Sequence, residues 1–397
     1  MNCVGVIEDV KMKYELMDMC SDGAVIKVIG VGGGGGNAVD HMIESHIDSV
    51  QFVCANTDAQ ALRRLNVETK VQLGIELTKG LGAGTKPEIG KLAAEENKDH
   101  LREVIDGADM VFLTAGMGGG TGTGAISVIA EVAKEMGVLT VAVVTKPFDF
   151  EGQKKKLVAE EGICELEKYV DSLIIIPNQK LLPVLGGNLS VTNAFKAAND
   201  VLLDAVQGIT ELITHPGLIN VDFADVKTVM ANMGAAIMGS GAATGENRAR
   251  EAAEKAIACP LLEDINLQGA KGILVNVTAA DMGLTEFDEI GSIMQAFASE
   301  DADMKIGMAT NPDMGDEIKV TVVATGMGCS GKAVVNAPVK LVQKAAAGDI
   351  NYDVLDKPTV IRQSKQEPRE TRFGAQPKND VDLDYLDVPA FLRRQAD

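Results

Sequence analysis

The stretch Gly116-Met117-Gly118-Gly119-Gly120-Thr121-Gly122-Thr123-Gly124 constrains this chain more than any other. Six of its nine residues are glycine. An apolar run at 110–115 precedes it and reads as a buried strand, and 125–134 follows and reads as a helix. Strand, bare backbone and helix start together make an anion site. Amide N–H groups point outward, the helix dipole adds positive potential, and no Cβ blocks the approach. Thr121 and Thr123 add hydroxyls for phosphate oxygens. The alternative is a plain flexible turn, but glycines cost chain entropy on ordering, and turning alone does not require six.

A second glycine run follows the strand at 24–29: Gly30-Val31-Gly32-Gly33-Gly34-Gly35-Gly36-Asn37, with a helix continuing from 38. It fits the dinucleotide pattern G-x-G-x-x-G at Gly30, Gly32 and Gly35, a weak match because a run of glycines fits many patterns. A third glycine loop spans 80–85, with Pro87 near a helix start. Further apolar runs at 50–55, 139–145 and 172–177 read as strands, and Asn56-Thr57-Asp58 closes the first of them. Strands alternate with helices, which predicts a parallel sheet covered on both faces. Phe150-Glu151-Gly152 opens a charged helix carrying Lys154, Lys155 and Lys156.

The longest helical pattern runs over 192–214, with Phe195, Leu202, Val206, Ile209 and Ile213 on its apolar stripe. It reads as a central helix of roughly 30 Å between two domains, ending at His215-Pro216-Gly217. Beyond it, Asp222 reads as an N-cap, with Asp225 completing a box-like start for a helix over 226–230. Apolar runs at 273–278, 304–308 and 318–324, with helices near 247–258 and 286–298, predict a smaller α+β domain with a mixed or antiparallel sheet. The period is lost from about 330, and 361–380 has the composition of a linker. Tyr385, Leu386, Val388, Phe391 and Leu392 then place apolar anchors beyond any core. They read as a recognition segment for a partner's groove rather than a disordered end. The expected divisions are an extension 1–23, a nucleotide domain 24–191, the helix 192–214, a second domain 215–330, a linker 331–383 and a tail peptide 384–397.

Charge and cysteine usage narrow the function. Lys+Arg 37 against Asp+Glu 57 gives −20, which argues against a nucleic-acid backbone or an anionic membrane as partner. It does not argue against a nucleotide held by backbone amides. The six cysteines are scattered without C-x-x-C spacing, as expected of reduced cytosolic thiols rather than a disulfide framework or zinc site. The four histidines have no ligand spacing, so no protein metal site is expected. No N-terminal signal pattern and no run of membrane-spanning length is visible.

The loops also discriminate among nucleotide sites. A Walker-A loop needs Lys after its last glycine, and Ala125 stands there instead. A dinucleotide site would use the first glycine run with Asp58 on the ribose, making a nicotinamide-dependent oxidoreductase the alternative. That leaves the richer loop at 116–124 without a task. Two phosphate loops after neighbouring strands suit a mononucleotide triphosphate gripped from both sides.

The GGGTGTG core at 118–124 resembles the signature of the tubulin/FtsZ superfamily of GTPases, and of its bacterial cell-division branch. The resemblance extends through VIGVGGGGGNAV (28–39), ANTDAQAL (55–62), TKGLGAG (78–84), VAVVTKPF (141–148), AANDVL (197–202), NVDFADV (220–226) and VTVVATG (320–326), and returns in DYLDVPAFLRRQAD (384–397). It covers 24–330 nearly continuously. It implies an α/β fold with a Rossmann-like parallel-sheet GTPase domain, a long central helix, a smaller α+β domain, and a disordered linker and tail. It implies GTP as substrate with Mg2+, and head-to-tail self-assembly into a cytoplasmic division ring beneath the inner membrane, with membrane tethers and regulators docking on 384–397.

Residue by residue, the resemblance implies that Gly33, Gly34, Gly35, Gly36 and Asn37 approach the phosphates and base from one side. Gly120, Thr121 and Gly122 would cradle the β- and γ-phosphates with the helix N-terminus behind them, and Gly118, Gly119 and Thr123 belong to the same nucleotide-binding set. Glu151 would bond the ribose, Phe195 would stack on the base, and Asn199 and Asp200 would read the guanine edge. Lys155 stands where the family often has Arg, so phosphate contact is expected with altered geometry, since Lys is a point charge without a fork. The resemblance also gives Asn220, Asp222 and Asp225 a second use. They would enter the nucleotide pocket of the next subunit, where the acids polarise the attacking water, a role compatible with capping by Asp222. A remaining alternative keeps the filament as a scaffold with hydrolysis incidental.

Overall fold

The computed structural model describes residues 23–47, 49–185, 190–214, 219, 221–231, 233–262, 270–298 and 302–326. Residues 1–22, Asn220, the linker 331–383 and the tail peptide 384–397 lie outside the described residues.

The first half alternates strand and helix: β1 (Ile26–Val31), α1 (Gly32–Glu44), β2 (Val50–Asn56), α2 (Ala59–Arg64), β3 (Thr69–Gln72), α3 (Ile75–Thr78), α4 (Pro87–Glu96), α5 (Lys98–Ile105), β4 (Met110–Gly116), α6 (Gly120–Glu135), β5 (Leu139–Lys146), α7 (Gln153–Leu166), β6 (Ser172–Pro177) and α8 (Leu182–Leu185). The long α9 (Val191–Thr214) follows, then α10 (Phe223–Met230), β7 (Gly234–Thr244), α11 (Arg248–Ile257), β8 (Gly272–Ala279), α12 (Leu284–Phe297), β9 (Asp303–Thr310) and β10 (Glu317–Thr325).

The strands form one ten-stranded sheet in the order β3-β2-β1-β4-β5-β6-β7-β10-β8-β9. From β3 to β6 every pairing is parallel. Helices cover both faces, so β1, β4 and β5 are buried almost end to end, which is why they read as continuous apolar runs. From β7 onward the pairing is mixed: β10 is antiparallel to both β7 and β8, and β9 is parallel to β8. The two halves meet at a short seam, where only Ser172, Leu173 and Ile174 of β6 pair with β7.

Two strands are invisible to hydrophobic periodicity. β3 is a four-residue edge strand. β7 is largely glycine and alanine, residues of low strand propensity. A Cβ at Gly241 would collide with the Ala252 carbonyl oxygen, so the small residues of β7 are what lets α11 lie this close to the sheet.

The 24-residue α9 spans about 36 Å at 1.5 Å per residue. It packs against β5 and β6 of the parallel half and β8, β9 and β10 of the mixed half. Polar ties fix its register: Asp204 meets Lys319 at 2.6 Å, and Thr278 donates to Glu211 at 2.9 Å. Among the described residues no helix is long and apolar enough to cross a membrane.

Arg248 clamps the far domain. Its guanidinium donates to Glu286 at 2.7 and 3.0 Å and to Asp316 at 2.9 Å, joining α11 to α12 and the β9–β10 turn. The Arg248 hydrogen bond holds the Glu286 carboxyl below its ordinary 4.5. A carboxylate depressed on folding contributes stability that is present above its unfolded value and lost as pH falls through the folded one. Arg248→Met is therefore expected to cost about 2 kcal/mol at pH 7. The gap between variant and wild type should close as the pH falls well below 4.5, as read by urea denaturation across that range.

Candidate functional site: a cleft between two helix N-termini

The glycine runs are less loop than the sequence suggests. β1 passes directly into α1, whose first helical residue is Gly32. Between β4 and α6 only Met117, Gly118 and Gly119 intervene, because α6 starts at Gly120 rather than near 125. Most of both glycine runs is thus the first turns of helices. Each helix presents its earliest N–H groups without a side-chain cap and without an acid in the first turn. Such uncapped N–H groups are the unsatisfied donors of a helix end.

Glycine is needed because the two helix starts meet backbone to backbone. A Cβ on Gly32, at φ +73°, would stand 2.8 Å from the Gly122 amide nitrogen. Side chains pin the second turn. The Thr123 hydroxyl accepts from Gly118 N–H at 2.8 Å, Thr121 and Thr57 share a 2.6 Å hydroxyl hydrogen bond, and Gly120 N–H reaches the Gly84 carbonyl at 2.9 Å. The third glycine loop therefore serves as a wall of the same cleft.

The cleft has a volume of about 380 Å³. It brings together Gly33, Gly34 and Asn37 of α1, Gly119, Gly120, Thr121 and Gly122 at α6, Glu151 and Lys155, and Phe195 and Asn199 of α9. Other expected site residues stand behind its surface. Gly35 and Gly36 are buried under α1, Thr123 is buried where it ties the turn, and Gly118 lies against the Lys155 carbonyl. Asp200 stands next to the lining, and its Oδ1 meets His41 Nε2 of α1 at 2.7 Å. Asp222 and Asp225 are at the other end of α9, outside this cleft. Asn220 falls outside the described residues.

The one carboxylate in the lining is already engaged. Glu151 Oε1 accepts from Phe148 N–H at 2.9 Å, and its Oε2 accepts from Lys155 at 2.7 Å. The cleft therefore offers amides, hydroxyls and one cation, a donor set for an anion. A second cleft of about 370 Å³ between α9 and β9 presents the Glu211 carboxylate instead, held by Gln207 and Thr278.

Two parts of the site went unread in the sequence. Asn178, just past β6, is 4% exposed and lines the cleft, and among the described residues its Oδ1 has no partner. A buried carbonyl oxygen left open beside a cleft can accept from a water or from a ligand N–H or O–H. Its signal is a polar residue at the C-terminal end of a parallel strand, the edge where such sheets bind ligands. Phe148 and Phe150 also join Phe195. Phe148 lies edge-on to Phe195 at 5.3 Å and stacks on Phe150 at 5.0 Å. The anion-binding lining thus also includes one aromatic ring, Phe195, with Phe148 packed behind it.

Nothing in the structure supports the dinucleotide alternative. Asp58 Oδ1 caps α2, accepting from Gln60 and Ala61 N–H at 2.8 and 3.2 Å, so it is engaged locally. The box-like start at Asp225 is half formed. Asp222 Oδ1 accepts from Asp225 N–H at 2.7 Å and α10 begins at Phe223, but the Asp225 carboxylate turns to Lys305 at 3.1 Å instead of returning to the cap.

Comparison with known proteins identifies the family. Residues 25–186 match the Tubulin/FtsZ family GTPase domain, and 234–328 match the FtsZ family C-terminal domain. The chain is 59% identical over 383 residues to the cell division protein FtsZ of Coxiella burnetii, covering 96% of this chain and 99% of that one. It is 56% identical to that of Pseudomonas aeruginosa, covering 97% and 100%. Among solved structures, an empty FtsZ dimer of M. jannaschii superposes with a TM-score of 0.74 at 42% identity, covering 77% of this chain and 89% of that one. The GTPγS-bound protofilament of CetZ2 from Haloferax volcanii shares the fold, with a TM-score of 0.65 at 19% identity over 76% and 92% of the two chains.

Phe195 is 40% exposed, so removing its ring should leave the fold intact. Phe195→Ala is expected to weaken guanine-nucleotide binding by about 3- to 10-fold, the worth of one aromatic contact. Titration with a fluorescent nucleotide, alongside a thermal melt that should be unchanged, checks this.

Proposed function

The chain belongs to the tubulin/FtsZ family of GTPases, and from that premise we propose a cell-division GTPase whose active site is completed only when a second copy docks. The observation that carries this reading is a separation. The phosphate cleft holds amides, hydroxyls and Lys155, but no uncommitted base. The exposed Asp222 and the half-exposed Asp225 stand beyond the other end of α9, about 30 Å from Phe195 by helix rise.

In this reading GTP lies across the two helix N-termini. Gly33, Gly34, Gly120, Thr121 and Gly122 hold the phosphates, with Lys155 beside them, paired to Glu151. The Phe195 ring contacts the base. Asn199, Asp200 and the open oxygen of Asn178 meet its polar edge, and a carboxylate or carbonyl accepting from N1–H or the 2-amino group favours guanine over adenine. Gly35, Gly36, Gly118 and Thr123 shape the backbone from behind. No cluster of three or more His, Cys, Asp or Glu that could cage a metal exists among the described residues. Mg2+ would be carried on the phosphate oxygens, where it would neutralise their charge, as this small ion commonly is.

A neighbouring chain, docking the α10 end onto the cleft, brings Asp222 and Asp225 to the γ-phosphate. There the carboxylates orient and polarise the attacking water, and Asn220 precedes Asp222 by two residues in sequence. A contact between opposite ends of one molecule does not close on itself, so it propagates as a filament. The dimeric state of the M. jannaschii relative supports self-association. The filament would form the cytoplasmic division ring, with the tail 384–397 offered to tethering and regulatory proteins.

GTP turnover per chain is expected to be near zero at high dilution and to rise above a threshold concentration at which sedimentable polymer appears. Asp225→Ala is expected to bind GTP with wild-type affinity while losing about a hundredfold in turnover. A turnover number independent of dilution contradicts the reading.

A further inference from the structure

We propose that Lys305 is a positioning residue for hydrolysis, holding the Asp225 carboxylate in the orientation in which it meets the neighbouring subunit's nucleotide. This rests on the reading of Asp225 as a group acting in trans.

The segment leading to α10 is stitched along β9 at three points. Met308 N–H donates to the Ile219 carbonyl at 3.0 Å. A Cβ at Gly307 would stand 2.9 Å from Val221 Cγ2, so the bare glycine lets Val221 settle against the strand. Two residues back along β9, on the same face, Lys305 Nζ reaches Asp225 Oδ1 at 3.1 Å, with Asp303 Oδ1 at 3.7 Å.

The result is a matched pair of anchored carboxylates. Asp222 is held through Oδ1 by the Asp225 amide, and Asp225 is held through Oδ1 by Lys305. Among the described residues neither Oδ2 has a hydrogen-bond partner, so each acid has one oxygen fixed and one presented. A carboxylate on an exposed helix start otherwise samples several rotamers, and misplacing a catalytic group by about 1 Å costs up to about a hundredfold in rate. Lys305 and Asp225 are 32% and 42% exposed, and an ion pair this open contributes little to folding. Its effect is therefore on orientation.

The test compares Lys305→Met, Lys305→Arg and Asp225→Ala in the full chain. Assembly is measured with a non-hydrolysable GTP analogue, and steady-state turnover is measured with GTP. Lys305→Met is expected to lower kcat about tenfold with KM, critical concentration and thermal midpoint unchanged, and Lys305→Arg to restore most of it. In the Asp225→Ala background, Lys305→Met should have no further effect, because Lys305 acts through that carboxylate. A Lys305→Met chain with wild-type kcat, while Asp225→Ala is inactive, overturns the positioning role and leaves the trans reading standing. An Asp225→Ala chain with wild-type turnover overturns both. An additive loss in the double variant, or a rise in critical concentration that accounts for the lost rate, also overturns the proposal. In those cases Lys305 would be touching the nucleotide itself or merely building the interface.

Discussion

Everything in the nucleotide half depends on two helix N-termini converging without side chains between them. The first turns of α1 and α6 line one cleft without side-chain caps, and the Gly32–Gly122 approach leaves no room for a Cβ. Two aligned helix dipoles supply the positive potential that a P-loop draws partly from lysine. That is how a chain of net charge −20 can carry an anion site. The topology makes the convergence possible. β1 and β4 are adjacent in the sheet but separated in sequence by β2 and β3, so their following helices, α1 and α6, diverge to opposite faces from a shared edge.

The same design leaves the cleft without a free base. Amides and hydroxyls bind phosphate well but cannot accept a proton at neutral pH, and the one lining carboxylate is spent on Phe148 N–H and Lys155. Acids placed among the phosphates would weaken binding of the triphosphate before chemistry began. On the proposed reading, placing Asp222 and Asp225 beyond the far end of α9 separates binding from hydrolysis within the subunit. α9 would then be the spacer between them, fastened to the mixed half of the sheet through Asp204–Lys319 and Glu211–Thr278.

Much of this was legible in the sequence, and what was not has physical reasons. Parallel strands buried on both faces announce themselves as apolar runs, so β1, β2, β4, β5 and β6 could be read directly. β7 could not, because its glycines and alanines answer to the close approach of α11 rather than to strand propensity. The glycine runs line the cleft as helix first turns rather than as loops, a difference the sequence does not show because glycine is a poor helix former and only the tertiary contact explains helix there. Asn178 and the Phe148–Phe150 pair belong to the site through positions at strand ends that no local pattern singles out. Asp222 read as a cap and is one. The partner of Asp225, Lys305, lies 80 residues on and can be seen only once β9 is laid beside α10.

The central claim is that one chain's acids act on another chain's GTP. The most direct measurement is a single-turnover assay. Asp225→Ala chains are preloaded with γ-labelled GTP and mixed with wild-type chains that carry a non-hydrolysable analogue, in a large excess of that analogue to trap any released label. The account predicts phosphate release that begins on mixing and rises with the amount of wild-type chain added. Labelled GTP that stays intact in the mixed polymer, at the rate seen with Asp225→Ala alone, would contradict it.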